Sequence, residues 1–140
     1  MSTESPHAEA TKALWMRSAQ ITRRLDNGLG AVHGISLTEY MVLDALVQAP
    51  DQKLRRIDIA EAMARTASGV TRLLMPMEKI GLVKKQSSAR DARVSMVQLT
   101  RTGARLHSDA SVTLDHKAES ILDRLSRKEV QELARLLTLA

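Results

Sequence analysis

Ser68, Gly69, Thr71 and Arg72 stand close together in the chain, and Arg90, Asp91 and Arg93 follow further on. These residue types recognise rather than transform. Two small residues let a backbone approach a surface closely, Thr71 and Arg72 supply donors, and the start of a helix attracts phosphate. Guanidinium groups at Arg90 and Arg93 suit the negative potential of a DNA minor groove. Asp91 among them would be costly beside phosphate unless it pairs with a cation, so its expected role is to brace Arg93 or Arg72.

Elements at the right spacing exist to position them. Val70, Leu73, Leu74 and Met77 fall at i, i+3, i+4 and i+7, one apolar stripe of a helix whose other face offers Ser68, Thr71, Arg72 and Lys79. Thr66 is its expected cap, and Pro76 predicts a bend between an exposed first half and a packed second half. Gly81 stops the helix. Two β-leaning runs, Leu82 to Ser88 and Val94 to Thr100, then flank a loop of hairpin length from Ala89 to Arg93. Ahead of it, Leu54-Arg55-Arg56 predicts a brief strand, and Ile59, Ala60 and Met63 a short helix. Arg65-Thr66-Ala67 separates that helix from the polar-faced one, which is the spacing of a helix-turn-helix pair.

The rest of the chain is helical and capped. Leu14, Ser18, Ile21, Leu25, Leu29 and Val32 trace a long first helix that Gly28, Gly30 and Gly34 loosen at its end. Ser36-Leu37-Thr38-Glu39 matches a capping box, and the helix it opens is apolar nearly all round at Tyr40, Met41, Val42, Leu43, Leu46 and Val47, so it should lie inside the fold until Pro50. Leu106, Ala110, Leu114, Ala118, Ile121 and Leu125 mark a long helix after the hairpin. Ser126 to Glu129 is a second capping box, and the final helix carries Val130, Leu133, Leu136 and Leu137 almost to the end of the chain. A terminal helix this apolar needs a partner.

Composition excludes several functions. With Trp15 and Tyr40 as the only aromatic residues, the chain lacks the stacking platforms of single-strand binders. Its 140 residues contain no Cys, which removes disulfides, thiolate nucleophiles and Cys-based zinc sites. No nucleophile elbow, phosphate-binding glycine loop or paired His on one helix face is present, so catalysis is not expected, and neither a metal nor another cofactor. The net charge of +5 favours a polyanionic partner. The charge is local: Lys84, Lys85, Arg90, Arg93, Arg101 and Arg105 cluster, while Asp109, Asp115, Glu119, Asp123, Glu129 and Glu132 crowd the tail. No apolar run reaches membrane length and the first ten residues are polar, which predicts a cytoplasmic protein without a membrane role.

The motifs together resemble those of the MarR family of transcriptional regulators: Ile59-Ala60, Val70-Thr71-Arg72, Met77-Glu78, Gly81-Leu82-Val83, Asp91-x-Arg93 and Leu99-Thr100-x-x-Gly103. The resemblance implies a mainly α fold with a small β wing, a winged helix-turn-helix flanked by N- and C-terminal dimerisation helices. Within a single domain over 1–140, residues 36–100 would form the DNA-binding lobe, and 7–34 and 101–140 the dimerisation helices. Thr71 and Arg72 would belong to the recognition helix and Arg93 to the wing tip. The implied function is sequence-specific binding of double-stranded DNA as a homodimer on a pseudo-palindromic operator, as a repressor released by a small-molecule effector. Trp15, Tyr40 and Met41 lie on the two helices where MarR-like proteins hold a small, often aromatic, ligand, although the residues alone read better as core, Met being the usual gap filler. Position 92 holds Ala where relatives carry an Arg. His107 is followed one turn later by Ser111, so the paired His of zinc-sensing relatives is missing, and ordinary surface or core roles are expected for His7, His33, His107 and His116. The alternative function for such a fold is a protein-interaction module whose wing meets an acidic protein surface.

Overall fold

The computed structural model describes residues 3–87, 90 and 94–140. Among them six α-helices, a short 3-10 turn (Pro50–Gln52) after α2 and three strands follow one another as α1 (Pro6–His33), α2 (Leu37–Gln48), β1 (Lys53–Arg55), α3 (Arg56–Ala62), α4 (Ala67–Lys79), β2 (Val83–Ser87), β3 (Ser95–Leu99), α5 (Arg101–Ile121) and α6 (Arg127–Leu139). The strands form one antiparallel sheet in the order β1-β3-β2, with Leu54 opposite Val97 and Lys85 opposite the same residue from the other side. The architecture is mainly α with a small β wing.

The capping expectations hold at atomic detail. Ser36 Oγ accepts from Glu39 N at 3.1 Å while Glu39 Oε1 accepts from Ser36 N at 2.9 Å, and Ser126 and Glu129 repeat the arrangement at 3.2 and 2.9 Å. Thr66 caps α4 by accepting from Gly69 N at 3.1 Å. These bonds satisfy backbone donors that helix geometry leaves free, and each start is thereby fixed by sequence.

The core is concentrated in the middle of the chain. Apart from Leu25, Leu29 and Ala110, every buried apolar side chain among the described residues lies between Ile35 and Leu99, including Val42, Leu43, Leu46, Ile59, Val70, Leu74, Met77, Val83 and Val97. From these residues α2, α3, α4 and the sheet form a lobe. Helices α1 and α5 pack along each other as a stem, with His33 Nε2 2.7 Å from Thr113 Oγ1 and Arg24 donating to Ser120 Oγ at 3.4 Å. No residue of α6 is buried.

Several expectations need correction. Burial follows α4 through both halves, at Val70, Leu74 and Met77, so the helix is not divided at Pro76 into an exposed half and a packed half; Pro76 and Met75 simply occupy the solvent side. Gly28 and Gly30 do not loosen α1, which runs to His33 before Gly34 ends it at φ 71°. Gly28 is instead a close-approach point, where an added Cβ would lie 2.9 Å from the Lys117 side chain. Met41 is 41% exposed, so α2 is not enclosed on every side. In the first-helix stripe, Leu25 and Leu29 are buried but Leu14 and Val32 face outward. Leu125 falls after α5 has ended.

Candidate nucleic-acid interface

Helix α4 presents two unlike faces. Its buried face seats it on the lobe, and Ser68, Thr71 and Arg72 on the other side are exposed, with Gly69 half-buried beneath them. A Cβ at Gly69 would meet Thr66 Oγ1 at 3.2 Å, so the small residue preserves the cap as well as a low profile. Beside α4, strand β2 buries only Val83 and leaves Lys84, Lys85, Gln86 and Ser87 in solvent, a cationic ribbon held by its pairing with β3. Arg90 is exposed. Asp91 and Arg93, with the bracing contact expected of Asp91, lie outside the described residues.

The polar face is anchored by a residue that sequence reasoning passed over. Arg56, first residue of α3, donates through Nη2 to Glu78 Oε1 at 3.0 Å, through Nε to Ser95 Oγ at 3.1 Å and through Nη1 to Thr71 Oγ1 at 3.4 Å. One planar fork thus ties α3 to two turns of α4 and to the first residue of β3. Thr71 differs from its expected chemistry: its hydroxyl already donates to Ala67 O at 3.2 Å, so it offers an acceptor rather than a donor. Arg55, next in line, is committed elsewhere, through a two-bond pair with Asp58 at 3.0 and 2.9 Å. That hydrogen bonding holds the Asp58 carboxyl below the usual carboxylate range and raises Arg55.

Leu99-Thr100-x-x-Gly103 acquires a physical meaning where the wing returns to the stem. Thr100 caps α5 by accepting from Gly103 N at 3.0 Å, and its own backbone N–H donates to Leu82 O at 3.2 Å. A Cβ on Gly103 would stand 2.1 Å from that same carbonyl oxygen, so no other residue fits without moving the start of α5 off the sheet.

Trp15, Tyr40 and Met41 occupy different environments. Trp15 is 70% exposed on α1, Met41 faces solvent on α2, and Tyr40 is 5% exposed. The Tyr40 ring stacks on His107 with centroids 5.0 Å apart, and its hydroxyl lies 2.8 Å from Ser111 Oγ. His107 Nε2 is in turn 2.9 Å from Asp44 Oδ1. With Asp26 Oδ1 accepting from Leu37 N at 2.7 Å, these contacts lock the lobe to the stem. The one-turn spacing of His107 and Ser111 was the available signal for this junction. A cavity of about 360 Å³ opens elsewhere, between α1 and α5, lined by Arg24, Asn27, His116, Lys117 and Ser120. Among the described residues no group of three His, Cys, Asp or Glu is arranged to hold a metal, and no helix is long and apolar enough to cross a membrane.

A helix pair joined by a tight turn, followed by a two-stranded cationic hairpin, defines a winged helix-turn-helix protein. The chain belongs to the MarR family, whose model matches residues 35–95. Over 107 residues it is 30% identical to the HTH-type transcriptional regulator MhqR of Bacillus subtilis (strain 168), covering 75% of this chain and 71% of that protein. The fold matches Sco3205, a MarR family transcriptional regulator from Streptomyces coelicolor solved in complex with DNA, with a TM-score of 0.85 and 18% identity over 99% of this chain and 88% of the other. It also matches the S. aureus MepR–DNA complex, with a TM-score of 0.78 and 25% identity over 91% of this chain and 93% of that one. The family is one of transcriptional regulators, not enzymes.

Proposed function

We propose that the protein is a homodimeric regulator that binds double-stranded DNA through α4 and the wing, represses from a pseudo-palindromic operator and is released by a small-molecule effector. The observation that carries the reading is the outward polar face of α4 at Ser68, Thr71 and Arg72, flanked by the exposed Lys84 and Lys85 of the wing. The solved DNA complexes of Sco3205 and MepR support it. In this reading Arg90 and Arg93 would enter the adjacent minor groove, with Asp91 bracing Arg93 or Arg72.

The dimer reading rests on apolar surface. Leu14, Trp15 and Met16 of α1 and Leu136, Leu137 and Leu139 of α6 are all exposed, a cost that a second copy of the stem would remove. Two-fold symmetry would set the two α4 helices about 34 to 36 Å apart, one turn of DNA. Spacing is then the controllable quantity, and an effector acts by binding one spacing better than the other. A ligand that wedges between stem and lobe, where Tyr40 lies, must displace the Tyr40–Ser111 and Asp44–His107 contacts. Trp15 and Met41, the other two candidates for an aromatic effector site, would need the partner subunit or a rearrangement to join it.

Fluorescence anisotropy tests the DNA reading. Affinity for random duplex should fall steeply with salt, because each phosphate contact releases a counterion, and a promoter fragment from the neighbouring genes should bind more tightly than random sequence. Salt-insensitive or absent binding would favour the protein-interaction alternative. Arg72→Ala should cost about 1 to 3 kcal/mol if it reads a base edge, and the loss should fall on one base position.

A further inference from the structure

A threonine hydroxyl has one proton and two lone pairs, and both the proton and one lone pair of Thr71 are spoken for within the protein. The proton goes to Ala67 O at 3.2 Å, and Arg56 Nη1 donates to the oxygen at 3.4 Å. The capacity left on this exposed residue is a single lone pair. Arg56 cannot easily swing away, since its other two arms are held by Glu78 and Ser95 and only 21% of its side chain is exposed. Its charge is also balanced by Glu78.

Resting on the reading of α4 as the DNA-facing helix, we propose that Thr71 is a base-specificity residue of acceptor polarity and that Arg56 is the positioning residue that fixes this polarity. In the major groove adenine presents its N6 amino group and cytosine its N4 amino group as donors, whereas guanine presents only N7 and O6, and thymine O4 and a methyl. A free threonine serves either set. A locked one selects the base pair that places an exocyclic amino group opposite it. Lysine at position 56 would keep the charge but not the planar fork that reaches three oxygens on α4 and β3.

The test begins with the full-length protein and a randomised duplex pool at fixed salt, from which the preferred site is selected. Within that site each adenine is replaced by purine, or cytosine by 2-pyrimidinone, to delete one amino group; 7-deazapurines delete the N7 acceptor instead. At one position in each half-site, amino deletion should weaken wild-type binding about fivefold, the worth of one neutral hydrogen bond. Thr71→Val, which keeps the shape and drops the hydroxyl, should be indifferent to that same deletion. Arg56→Lys should shrink the cost of amino deletion at that pair by a larger factor than it lowers affinity for random duplex, which a merely structural role would not do. If Thr71→Val instead abolishes the cost of a 7-deaza substitution, Thr71 donates and the proposal is overturned. It is equally overturned if no amino deletion couples to Thr71→Val, and the part of Arg56 falls if its variant loses affinity for the selected site and for random duplex by the same factor. A wild-type protein that binds no duplex at low salt would overturn the regulator reading itself, a distinct outcome.

Discussion

The lobe and the stem solve the burial problem in opposite ways. The lobe encloses Val42, Leu43, Leu46, Ile59, Leu74, Met77 and Val97 completely, from four different secondary elements. The stem buries Leu25, Leu29 and Ala110 and leaves Leu14, Trp15, Met16, Val112 and, on α6, Leu136, Leu137 and Leu139 exposed. Helix propensity and two capping boxes suffice to shape the stem, but its apolar surface stays uncovered within one chain. The comparison teaches where control sits. If a second copy completes the stem as proposed, the stem sets where the lobe points, and control sits at the joint between them.

Removing α6 breaks the comparison most severely. Deletion of Ser126 to Ala140 should abolish the dimer and reduce operator affinity by more than about a hundredfold, since two half-sites no longer act together. Sedimentation and a melting temperature measured against protein concentration would show it. A truncated, well-folded monomer with full operator affinity would end the symmetric model. Next in size is the joint between the two regions. Gly103→Ala drives a Cβ against Leu82 O, and relief requires separating α5 from the sheet, so urea denaturation should show a loss of more than about 3 kcal/mol. Gly30→Ala is the stem's counterpart. Nothing lies within 4 Å of the added carbon, and the change should stabilise the helix by roughly 0.5 to 1 kcal/mol. A loss at Gly30 would place that position against the partner subunit.

Much of this was legible in the chain, and the parts that were not share a physical cause. Caps and stripes are local: Ser36 with Glu39, Ser126 with Glu129, Thr66 ahead of Gly69, and the 70-74-77 face of α4 are all set within one or two turns. Contacts between distant elements carry no such period. Arg56 reads as a solvated strand residue until α4 and β3 bring Glu78, Thr71 and Ser95 to it, and Asp44 reads as surface until α5 brings His107. Pro76 misled for the converse reason. A proline in a helix predicts a bend between an exposed and a packed half, but Pro76 lies on the solvent side of α4 and the buried stripe runs through both halves. Tyr40, Met41 and Trp15 belong to helices correctly placed in sequence, yet which side of each helix is covered depends on packing that composition does not encode.

The lock between the two regions can be loosened without touching either core. Tyr40→Phe removes the hydroxyl from Ser111 while keeping the ring on His107, and should cost about 1 kcal/mol by thermal or urea denaturation. If stem and lobe are coupled as the effector reading requires, the variant's operator affinity should change by a different factor from its stability. Equal changes would make the hydroxyl purely structural.

The smallest effect should come from inside the lobe, at the turn between α3 and α4. Ala64 holds φ 51° there, a left-handed conformation in which Cβ crowds the following carbonyl at a cost of roughly 1 to 2 kcal/mol. Ala64→Gly removes that crowding but gives the unfolded chain more freedom, worth about 0.5 to 1 kcal/mol in the other direction. The net expectation is a gain of about 0.5 kcal/mol, read as a raised urea midpoint with an unchanged slope. Because the turn belongs to the lobe, between α3 and α4, the dissociation constant of the proposed dimer should not move. A shift in that constant would mean that the lobe is not the independent body its core suggests.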